Sequence, residues 1–252
     1  MDELKLRGYV SPEDFSGSDT EKLQQALNTA AEKDIGKVIV TGKYTVEKTL
    51  LFPEQMHLVL ENAEITAAGD FPLLVNTALT GKQPAWSFEE KFFCITGENA
   101  VLGGDVLFFN ADKVTVENVE ISGELTFDFA RSIRVAQVKC AGVRLCRGCN
   151  NAILQQVDAP VLTMDTAETP RPYVIGKEPD IHEIICNDMA NTAVYLDATE
   201  NEVIFNIQIT GAASVEVSRK AGSLPRESYF NIIGEALGAP AVSHSDTKHC
   251  IL

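Results

Sequence analysis

A chain of 252 residues with 45% hydrophobic side chains can bury one continuous core, and 36 acidic against 21 basic side chains leave a formal net charge of −15. That balance excludes nucleic acid and an anionic membrane surface as partners, since both need a basic patch. It also makes a strongly anionic polymer an awkward ligand, and its first meaning is solubility.

The opening stretch MDELKLRGYVSPEDF is charged from its second residue and has no apolar signal-peptide core. With Met1 as the native start a cytoplasmic protein is expected, although a chain trimmed of its leader would read the same. No apolar run is long enough to span a bilayer, and Cys250 stands third from the end, one place short of a prenylation box. Residues 18 to 33 are expected to form a helix. Ser18 and Glu21 fit a capping box, Leu23, Ala26, Leu27, Ala30 and Ala31 make an apolar stripe, and Gly36 supplies a stop. Short strands follow in KVIVTG, KYTVEKTLLF and MHLVLENAEIT, rich in β-branched residues and punctuated by Gly42, Pro53 and Asn62. From Asp70 to Phe92 the pattern turns irregular and suggests a surface excursion carrying Trp86, either a sugar-stacking platform or a buried plug.

From about Cys94 a 19-residue period takes over. Val114, Ile133 and Ala152 keep this interval, as do Val116, Val135 and Leu154, then Asn118, Gln137 and Gln156. Such a period marks stacked units. Three short apolar strands per unit, without leucine-rich spacing, predict a right-handed parallel β-helix in which alternate side chains stack inward on the coil below. Val114 and Val116 would point inward on one strand and Val119 and Ile121 on the next, with Asn118 at the bend. Asparagine tolerates left-handed backbone angles and can bond its equivalent one coil away. Glutamine is a less comfortable occupant, so the coils of Gln137 and Gln156 are expected to differ there. Glu120, Lys139 and Asp158 should align outside with alternating charge. Between Asp158 and Asp180 the period breaks at an expected insertion with four prolines. It resumes at Asn187 and Asn206, and Asn231 follows after 25 residues. The whole is expected to be one domain: residues 1–36 a strand and helix cap, 37–237 coils, and 238–252 a loose tail.

Two parts of the chain resemble the polygalacturonases and their pectate-lyase-like relatives. One is the phrase from Asp14 to Ile65, where Asp14-Phe15, the helix, Gly42 with Tyr44, Pro53 and LVLENAEI correspond to the family's opening. The other is the recurring phrase at 114, 133 and 204. The resemblance implies that the helix plugs the open end of the β-helix and that a carbohydrate is the ligand. The family's hydrolytic residues do not carry over. Where Asn-Thr-Asp belongs the chain has GELTFDFARS, with only Asp128. Where Asp-Asp belongs it has AGVRLCRG, and Gly-His-Gly and Arg-x-Lys have no counterpart among His57, His182, His244 and His249. No set of calcium-binding carboxylates with a basic partner is visible either, so no catalytic residues, metal or cofactor can be assigned.

On the face that such relatives use, which would carry VLFFN, LTFDF, VRLCR, AVYLD and SVEVS, the outward, sugar-contacting candidates are Asp105, Asp128, Arg144, Asp165, Tyr195 and Glu216. An arginine beside Asp128 would hold it ionised and make it a poor proton donor. Two function classes remain open: a carbohydrate-active protein meeting an oligosaccharide or polysaccharide, and a non-catalytic structural or binding β-helix. Oligomeric state is open as well. The six cysteines are expected to be free, and Cys146 and Cys149, a lone C-x-x-C with no second ligand pair, to be structural.

Overall fold

The computed structural model describes residues 3–76, 92–146, 149–165, 180–189, 192–198, 203–212, 214–219, 229–236 and 241–242. Trp86, most of the expected insertion and Cys250 lie outside them. Every strand pairs in parallel with its counterpart one coil away, and three ladders result. The first stacks 37–41, 56–61, 93–98, 112–117, 131–136, 150–155, 180–187, 203–209 and 229–234. The second stacks 42–46, 63–67, 101–103, 120–121, 138–140 and 157–158. The third stacks 50–52, 74–76, 106–109, 124–128, 142–146, 161–165, 193–198, 214–219 and 241–242. The protein is a parallel β-helix.

The 19-residue period is the axial register itself. Ile133 pairs with Val114 and Ala152, and Val135 with Val116 and Leu154. All six are at most 1% exposed, because side chains alternate along a strand and the apolar set must face one way. Glu120, Lys139 and Asp158 align outside, and the Lys139 ammonium lies 2.9 Å from Glu120. Inside, Phe52, Phe93, Phe108 and Phe127 form a chain of ring contacts at centroid separations of 5.6–6.3 Å, so the aromatic bulk also stacks along the axis.

The corner between the first two ladders is turned by one left-handed residue per coil: Asn62, Asn99, Asn118, Gln137 and Gln156, with φ between 48° and 55°. Asn99 donates its amide to the Asn62 side chain at 3.1 Å. The glutamine coils do not differ there, contrary to the sequence expectation. Inter-coil bonds on both sides of the corner, Asn118 N–H to Ala136 and Lys139 N–H to Val119, hold the backbone in place whichever carboxamide occupies it. A second expectation also fails. Val161–Asp165 belongs to the third ladder, so the coil runs on past Asp158 before the period breaks. Within the expected tail, Ala241 and Val242 still pair with Glu216 and Val217.

At the amino-terminal end a helix spans Asp19–Glu32, capped by the predicted Ser18–Glu21 box. Its buried stripe is Thr20, Leu23, Ala26, Leu27 and Ala30, while Ala31 is exposed. The helix lies on the first coil and satisfies that coil's free edge. Gln24 both donates to and accepts from the Leu51 backbone, at 3.0 and 2.8 Å, Asp19 accepts from Thr45 N–H at 2.8 Å, and Thr20 accepts from Glu47 N–H at 2.9 Å. Val10 bridges to Val38 along the same edge. An open parallel edge would otherwise template further pairing.

Candidate functional site

The third ladder carries the sequence candidates, and its register sorts them into three groups. Thr126, Arg144, Thr163 and Tyr195 are successive partners in one outward column, and Glu216 is the next register position, its side chain outside what the structure describes. Arg144 is exposed, and Tyr195 is 40% exposed in spite of its large ring. Asp128 and the backbone of Asp165 hold the register position two residues on, with Cys146 between them; the Asp165 side chain lies outside what the structure describes. Cys146 is only 7% exposed, so the position between the two acids is withdrawn from solvent. Phe109 flanks Asp128 on its other side.

Asp105 joins neither column. It precedes the strand Val106–Phe109 and accepts from Glu124 N–H at 2.8 Å, holding the next coil where the register shifts. An added Cβ at Gly123 would stand 2.2 Å from that carboxylate, so glycine is required beneath it. Asp105 is exposed at this bend while one of its carboxylate oxygens takes the Glu124 amide. Arg144 and Tyr195 are brought into line, with Glu216 at the next backbone register position, and Asp128 is set diagonally to Arg144 rather than directly beside it.

A concavity of about 320 Å³ lies elsewhere, on the corner between the first and second ladders, among Asn99, Val101, Asn118, Glu120, Gln137 and Lys139. In each of these coils the left-handed carboxamide and the second-ladder residue two positions later flank an inward-turned side chain, Ala100, Val119 or Val138. Sequence reasoning identifies this amide column and this charged column separately. It misses that they form the two walls of one trough. The signal is their common 19-residue period at a constant offset of two.

The other thiols and imidazole among the described residues lie off both columns or are withdrawn from solvent. Cys94, Cys140, Cys146, Cys149 and Cys186 are free and buried. Burial pushes the Cys94 thiol up to about 11 and those of Cys140 and Cys186 to about 12, and raises Cys149 still further. Cys149 donates to Phe127 O at 3.1 Å and accepts from Ala130 N–H at 3.4 Å, closing a turn between coils. His57 lies 2.8 Å from the Thr96 hydroxyl, and burial together with nearby Lys37 lowers its pKa. Among the described residues no group of three or more His, Cys, Asp or Glu side chains could hold a metal, and no helix is long and apolar enough to cross a membrane.

No protein-family model, no curated protein and no solved structure matches the chain. What stands is the fold, a parallel β-solenoid with a short amino-terminal helix.

Proposed function

We propose that the protein is a carbohydrate-binding β-helix that does not hydrolyse pectic polymers. The observation that carries this reading is the outward column Thr126–Arg144–Thr163–Tyr195, with its exposed aromatic ring. Ladder partners stand ~4.8 Å apart, so hydroxyl, guanidinium, hydroxyl and phenol present a regular polar row. A saccharide needs such a row for its hydroxyls and an aromatic face for its apolar side. The likeness of residues 14–65 to pectin-acting β-helix proteins points to the same ligand class by analogy of fold and phrase.

The chemistry of the acids argues against hydrolysis. Inversion needs two carboxyl groups roughly 6.5–9.5 Å apart with water and the scissile bond between them. Asp128 has no carboxylate on either neighbouring coil to serve as the second acid, since its register partners are Phe109 and Cys146 and the outward residue diagonal to it is Arg144. A glycan screen that measures binding and product release together tests the reading. Tyr195→Ala is expected to weaken oligosaccharide binding by up to about tenfold, and reducing ends should not accumulate with polygalacturonate. Product release by wild type that disappears in Asp128→Asn would overturn the non-hydrolytic assignment. The absence of binding to any glycan would overturn the carbohydrate reading.

A further inference from the structure

We propose that the trough between the carboxamide column and the second-ladder charged column is a separate binding site for a neutral oligosaccharide lying along the helix axis. The inference rests on the carbohydrate reading but on none of its residues, because Arg144 and Tyr195 stand on the third ladder. One wall is Asn99, Asn118 and Gln137, and the other is Val101, Glu120 and Lys139. The side chains of Asn118 and Gln137 are exposed and have no hydrogen-bond partner among the described residues, so both offer donors and an acceptor to solvent. A carboxamide matches a hydroxyl, which also donates and accepts. One per coil at ~4.8 Å intervals matches a chain that repeats its hydroxyls.

The class of ligand follows from the charges and the backbone. Glu120 and Lys139 neutralise each other across 2.9 Å, and the same outward column continues to Glu64 on one side and Asp158 on the other. With a whole-chain charge of −15, nothing in the trough rewards a polyanion such as a uronate chain. An extended peptide is disfavoured for another reason. The backbone here is already bonded between coils, with Glu120 N–H donating to Ala100 and Asn118 N–H to Ala136. No free strand edge is left for main-chain pairing. The half-buried Val101 supplies a small apolar patch against which one face of a sugar ring can rest.

The test is calorimetric titration of neutral and uronic oligosaccharides of equal length into wild type, Tyr195→Ala, and the double variant Asn118→Gly/Gln137→Gly. Glycine keeps the left-handed backbone while removing the amide. In the Tyr195→Ala background a neutral oligosaccharide should still bind. Adding the double variant should weaken that binding about tenfold, for two lost hydrogen bonds, with the circular dichroism spectrum unchanged. Should the double variant fail to fold, Asn118→Gly alone should cost about threefold. If Tyr195→Ala abolishes all binding, the trough is overturned while the carbohydrate reading stands. If no glycan binds wild type, both fall. Uronic oligosaccharides binding as tightly as neutral ones would overturn the assignment of ligand class.

Discussion

Val135→Asp places an acid at the centre of the inward stack, and its cost can be worked out from the register. Val135 is fully buried between Val116 and Leu154. Losing its burial costs about 1.5–3 kcal/mol, and burying an unpartnered carboxyl costs about 2–7 kcal/mol more, even when it is protonated. The sum is comparable with the ~5–15 kcal/mol that holds a typical domain together. A carboxyl held in an apolar interior has a folded-state pKa raised above its unfolded value near ~3.9. Folding then requires a proton, so stability falls by about 1.4 kcal/mol per pH unit as pH rises above the unfolded pKa. Val135→Asp should therefore be unfolded at neutral pH and recover part of its structure near pH 4.

The matched control is Arg134→Asp, one residue earlier and on the opposite face. Arg134 is exposed and lies 2.5 Å from Glu117. Its replacement removes a surface pair worth about 0–1 kcal/mol and adds a like-charge neighbour, so the fold should survive. Circular dichroism melts of the two variants at pH 4 and pH 7 provide the assay. If Val135→Asp melts within a few degrees of wild type at neutral pH, or melts above Arg134→Asp, the parity assigned to this coil is wrong.

Lys139 should titrate above free lysine, because its hydrogen bond to Glu120 raises its pKa, and should return toward the free value in Glu120→Gln, as followed by NMR. Any stability from this pair is then fully present below the unfolded lysine pKa and is lost as pH rises through the folded one. The buried cysteines should resist iodoacetamide at pH 8 in the native state, since burial keeps their thiols protonated. All six in the chain should be alkylated after unfolding without reductant, and a stable bridge other than Cys146–Cys149 would refute the expectation. Gln24→Ala deletes both bonds to the Leu51 backbone and should cost about 1–3 kcal/mol. It should also increase self-association by light scattering as the first coil's edge becomes available, and an unchanged melt and mass would remove the edge-capping role.

Where the coils keep one length the repeat is legible in the order of the residues, whereas the expected return of the period at Asn187 and Asn206 fails, because Asn206 pairs with Glu183 and Asn231. The 19-residue interval determines the axial partners of Val114, Val116 and Glu120, because a coil of constant length returns each position to the same column and the inward set must be apolar in every coil. The helix start is equally plain, since a capping box is a contact between neighbours in sequence. Other features depend on the coil above and below, and no local reading reaches them. Gln137 and Gln156 adopt the asparagine bend because inter-coil backbone bonds impose it, whatever their own preference. Val161–Asp165 is a strand because two ladder neighbours pair with it, although the prolines beyond it suggest a break. Asp105, exposed at the bend before its strand, bonds a backbone amide 19 residues away, a contact that only the stacking of coils creates. The trough exists because two columns, each visible as a period, are folded around one corner, and the angle between them is a property of the stacked backbone rather than of any single coil's residues.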